Sequence, residues 1–86
     1  MQKSIYSEEY AVLLQKLREA RESAGLTQSD AAERMGATQS FVSKCERGER
    51  RLDVIELRDW CRSIGASFAE FSKDLDRTLV ATSRRR

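Results

Sequence analysis

Apolar positions near the start of the chain recur with a helical period. Tyr10, Leu13, Leu14, Leu17, Ala20 and Ala24 are spaced i, i+3, i+4 and i+7, which predicts an amphipathic helix. Ser7 can cap it, Glu8 and Glu9 complement its dipole in the first turn, and Gly25 supplies the stop. Three more helices announce themselves by their caps. Thr27-x-x-Asp30 has the form of a capping box and opens a helix that Gly36 closes, with Ala31, Ala32 and Met35 inward. Asp53-x-x-Glu56 opens another, with Leu57, Trp60, Cys61 and Ile64 inward and Gly65 after it. Ser67-x-x-Glu70 opens a short last one carrying Phe68, Phe71 and Leu75. A fifth helix fits between Thr38 and Gly48. No segment alternates with period two over a useful length, so no strand is predicted.

The pattern therefore predicts a compact all-α domain of five helices over residues 1–76, with short connections. Residues 77–86, "RTLVATSRRR", have weak periodicity and read as a basic, frayed tail ending in Arg84, Arg85 and Arg86. The first five or six residues read as loose.

The helix within "GATQSFVSKCERGER" breaks the pattern of the others. Only Val42 and Cys45 fit a buried edge. The remaining face, Gln39, Ser40, Ser43 and Lys44, is polar and mostly uncharged, whereas a helix needing only solubility would carry acid–base pairs. The helix before it offers small residues for close approach, and Gly36 supplies the sharp turn. These are the requirements of a helix-turn-helix, in which a tight turn crosses two helices at ~90–120° and leaves one face open. Amides, hydroxyls and one lysine on an open helix face suit the base edges of a major groove.

Charge sharpens this reading. The net charge is only +2. It is unevenly spread, with residues 1–35 at −1, 36–51 at +2, 52–76 at −3 and 77–86 at +4. A polyanion held on one face fits that distribution, and so does ordinary fluctuation in a small protein. The absence of histidine excludes histidine-based catalysis, and two cysteines without histidine do not make a structural zinc site. Cys45 and Cys61 fall at apolar helical positions and read as buried, reduced thiols. No apolar run approaches the ~18–20 residues of a membrane span and no signal peptide is evident, so a cytoplasmic protein is expected.

The segment "LTQSDAAERMGATQSFVSKCERGER" resembles the helix-turn-helix of the lambda repressor and Cro family, shared by the XRE-type bacterial regulators. The resemblance covers roughly Leu13 to Leu75. It implies double-stranded DNA as partner, with Thr38, Gln39, Ser40 and Lys44 at base-facing positions, joined by Ser43 on the same open face. It implies phosphate contacts for Gln28, Arg47, Arg50 and Arg51, and a buried ion pair between Arg21 and Glu46. Other roles stay open at several of these positions. Thr38 can simply cap its helix, Gln28 can be a plain first-turn residue, and Arg50 and Arg51 can be solvated charge. Phe41 can touch a thymine methyl or cover the turn. Two features depart from the family pattern: Cys45 stands where a larger aliphatic residue is usual, and "SRRR" matches no motif.

The expected function is a DNA-binding transcriptional regulator with no enzymatic activity, no cofactor and no small-molecule ligand. A homodimer is expected, with the last helix (Phe68, Phe71 and Leu75) as its candidate surface, although helical spacing equally assigns Trp60, Phe68 and Phe71 to the core. The rival reading is a protein-interaction or antitoxin-like module built on the same fold.

Overall fold

The computed structural model describes residues 7–84. Five helices follow one another: α1 (Glu8–Ser23), α2 (Gln28–Met35), α3 (Gln39–Glu46), α4 (Val54–Ser63) and α5 (Phe68–Arg84). There is no strand among the described residues.

Each helix start has a local cause. The Ser7 hydroxyl accepts from the Tyr10 N–H at 2.9 Å. Thr27 with Asp30, and Asp53 with Glu56, form complete capping boxes, each satisfying two otherwise orphaned N–H groups. Gly36 ends α2 in the left-handed region at φ 69, where any other residue except Asn or Asp is strained.

The core is a single cluster of Leu14, Leu17, Ala31, Ala32, Val42, Cys45, Trp60, Cys61, Ile64 and Phe71. Ala31 and Ala32 lie where α2 packs against α3 and α4, and their small side chains allow that approach. Both cysteines are fully buried free thiols. Burial pushes the Cys45 thiol up to about 11, far from the range in which a thiolate reacts.

Two expectations change. Residues 77–84 do not form a frayed tail, because α5 runs on to Arg84. Its inner face continues through half-buried Leu75, Thr78 and Leu79 to Thr82, only 3% exposed. α5 lies antiparallel along α1: Lys16 Nζ meets Asp74 Oδ2 at 2.8 Å, and Ser83 Oγ reaches Glu9 Oε2 at 3.5 Å. The second change concerns the aromatic side of α5. Phe71 is buried, and Phe68 and Leu75 pack against the core, so this face holds the domain together and is not an open surface. Arg85, Arg86 and residues 1–6 lie outside the described residues. No helix of the described residues is long and apolar enough to cross a membrane.

Candidate nucleic-acid interface

The site is built on the turn between α2 and α3. After Gly36, the Ala37 N–H returns to the Ala32 carbonyl at 2.9 Å, closing the turn. Thr38 then starts α3, its Oγ1 accepting from the Phe41 N–H at 3.1 Å. A hydroxyl used as an acceptor still has its own proton to donate, so capping does not remove Thr38 from the surface chemistry.

Val42 and Cys45 are fully buried and pin α3 to the core. The opposite side carries exposed Gln39, Ser40 and Lys44, with Ser43 half-exposed beside them. Phe41 belongs to a different side. It lines a cleft of about 210 Å³ with Met35, Ala37, Leu52 and Trp60, and so covers the turn.

A chain of hydrogen bonds links the inside of the domain to this open face. Arg21, on α1, donates from Nε to Glu46 Oε2 at 2.6 Å and from Nη2 to Glu46 Oε1 at 3.0 Å. Their side chains are 8% and 4% exposed, and Arg21 Nη1 also donates to the Leu26 carbonyl at 2.8 Å. Donation of these hydrogen bonds to Glu46 is the main influence holding the Arg21 guanidinium above its usual pKa. Gln28 Nε2 donates to Glu46 Oε1 at 3.0 Å, and Gln39 Nε2 donates to Gln28 Oε1 at 2.7 Å. The first residues of the two motif helices thus touch through their amides. Spacing along the chain gave no sign of this contact, which the helix crossing creates.

The arginines after α3 are arranged differently. Arg47 forms a two-pronged pair with Glu49, at 3.0 and 3.2 Å, and donates to the Ser43 hydroxyl. Both partners of that ion pair are about half exposed, so solvent screens their attraction and a phosphate can displace Glu49. Arg50 turns towards α4, where it grips Glu56 at 2.6 and 3.1 Å and donates to the Arg51 carbonyl. Its guanidinium lies 5.5 Å from the centroid of the Phe41 ring. The Arg50 hydrogen bonds, then the Asp53 N–H, hold the Glu56 carboxyl down to about 2. Arg51 lies over the Tyr10 ring at 4.1 Å. The structure therefore joins Gln28, Gln39 and Glu46 into one unit, whereas Arg47, Arg50 and Arg51 each engage partners outside it. The motif gave no indication of Glu49, Glu56 or Tyr10 in these pairings. Glu56 reads in sequence only as a capping residue.

Comparison with known proteins places this geometry. Residues 12–73 match the family model described as a helix-turn-helix domain. The chain is 36% identical over 62 residues to an uncharacterized HTH-type transcriptional regulator of Sinorhizobium fredii, covering 72% of this chain and 80% of that protein. It superposes with a TM-score of 0.75 on an XRE-family like protein from Pseudomonas syringae pv. tomato, at 50% identity over 81% of this chain and 88% of the other. Matched by that model over most of its length and 50% identical to an XRE-family like protein of the same fold, the chain belongs to the XRE-type helix-turn-helix family.

Proposed function

We propose that this chain is a non-enzymatic transcriptional regulator that binds double-stranded DNA by inserting α3 into the major groove. The observation that carries the reading is the face of α3: exposed Gln39, Ser40 and Lys44 stand opposite fully buried Val42 and Cys45. At eight residues α3 is about 12 Å long, comparable to the ~12 Å width of the groove. Gln39, Ser40, Ser43 and Lys44 face the bases, and Thr38 donates its hydroxyl proton at the groove edge. Gln28, Arg47 and Arg51 hold phosphates, with Arg47 exchanging Glu49 for the DNA backbone. Arg50 reaches a phosphate only after releasing Glu56.

Specificity argues for two copies. Each good base contact discriminates by ~1–3 kcal/mol, which is thin against the ~10⁶–10⁹ competing sites of a genome. A homodimer on a palindromic operator doubles the reading, with half-sites about 34–36 Å apart. Because Phe68, Phe71 and Leu75 are occupied, a contact through α5 uses its outer side. There Val80, 43% exposed, sits among Lys73, Asp76, Arg77 and Arg84. Val54 and Ile55 at the start of α4, 62% and 61% exposed, are the other exposed large apolar side chains among the described residues.

Selection of bound sites from a pool of random duplexes tests the proposal. Enrichment of a two-fold-related site with half-sites about one helical turn apart is expected. Failure to enrich any sequence would favour a protein-interaction role instead.

A further inference from the structure

We propose that Glu46 determines which base Gln39 reads, acting through Gln28. The inference rests on the base-reading role of Gln39 proposed above. Glu46 Oε1 accepts from both Arg21 Nη2 and Gln28 Nε2, each at 3.0 Å. An ionised carboxylate only accepts, so Gln28 must present its NH₂ group to Glu46. Gln28 Oε1 is then the atom left for Gln39, and it accepts from Gln39 Nε2 at 2.7 Å. One of the two donors of Gln39 is thereby used within the protein. One N–H and the carbonyl oxygen remain to face the groove.

That remainder has a definite match. In the major groove adenine offers an acceptor at N7 and a donor at N6, whereas guanine offers two acceptors, N7 and O6. One donor beside one acceptor satisfies adenine and leaves a guanine acceptor unmet. Glu46 touches no base in this scheme; it is a positioning residue, the fixed end of a relay whose direction its charge decides. An amide at position 46 has both donor and acceptor, so both glutamines could turn over.

The test uses a duplex recovered from the random pool. The adenine whose preference depends on Gln39 is located with Gln39→Ala, then changed to guanine. The adenine-to-guanine affinity ratio is measured for the wild type, Glu46→Gln and Gln28→Met. A fall in the ratio of at least about fivefold is expected in Glu46→Gln, the equivalent of one weak base contact. Gln28→Met interrupts the relay while keeping the Arg21–Glu46 pair, and the same fall is expected there even if Glu46→Gln folds too weakly to measure. Equal losses on both duplexes, with the ratio unchanged, would overturn the relay and leave Glu46 a purely structural role. If Gln39→Ala alters no base preference at all, the base-reading role fails and the relay with it. That outcome is distinct, because the first retains a position that depends on Gln39.

Discussion

Replacing Glu46 with leucine strands the Arg21 guanidinium. The two side chains are 8% and 4% exposed and meet at 2.6 Å. Arginine does not give up its proton in proteins, so the charge cannot be relieved by titration. In Glu46→Leu, Arg21 keeps the Leu26 carbonyl at 2.8 Å and the Glu22 carboxylate at 3.9 Å. Breaking a buried pair from one side costs ~3–5 kcal/mol, and these surviving partners place the loss near ~3 kcal/mol. A domain of 86 residues has a total stability of ~4–13 kcal/mol, so the loss is at least about a fifth of it. Arg21→Met together with Glu46→Leu removes both charges and recovers most of that loss. Recovery stops short of complete, because the Leu26 carbonyl and the Gln28 amide each lose a partner worth ~1 kcal/mol. Urea denaturation of the wild type, both single variants and the double variant measures these four stabilities. A cost for Glu46→Leu below ~1 kcal/mol, the value of an exposed pair, would refute the reasoning. So would a double variant no more stable than the weaker single variant.

Arg51→Ala is expected to weaken binding to all duplexes alike and to make the log–log salt slope less negative by about one unit, the signature of one lost phosphate contact. An unchanged slope would mean that Arg51 holds no phosphate. Gly36→Ala meets nothing within 4 Å of the added carbon, so its cost is purely conformational, ~1–2 kcal/mol by denaturation. A loss above ~4 kcal/mol would point to a clash that this geometry does not contain. Glu56 has its folded pKa lowered from 4.5 to about 2, so its contribution to stability is complete above about pH 4.5 and is lost as pH falls towards 2. Arg50→Ala should flatten the acid limb of the stability profile within that window, and an identical acid limb in the two proteins would contradict the Arg50–Glu56 pairing.

The helix starts were legible because caps are local: Thr27 with Asp30, and Asp53 with Glu56, need only a few consecutive residues to agree. The length of α5 was not legible, because its last inward position is Thr82, a polar residue that interrupts the apolar period. The role of Phe68, Phe71 and Leu75 was ambiguous for the opposite reason. An apolar stripe reads the same whether it meets its own core or another molecule, and only the antiparallel placement of α5 on α1 decides. Within the candidate site, the open face of α3 was visible as a helix side lacking both apolar residues and charge pairs. The Gln28–Gln39 contact was not, since the crossing of two helices sets it. The partners of Arg47 and Arg50 depend on the path of the loop after α3, which no periodicity encodes.

The most direct test of base reading by α3 is a competition titration of Gln39→Ala on the selected duplex and on a scrambled one. Base contacts specify sequence, whereas phosphate contacts attract any duplex. A loss of ~1–3 kcal/mol on the selected duplex, with affinity for the scrambled duplex nearly unchanged, is the expected result. Equal losses on both duplexes would contradict it, because Gln39 would then act without reading sequence.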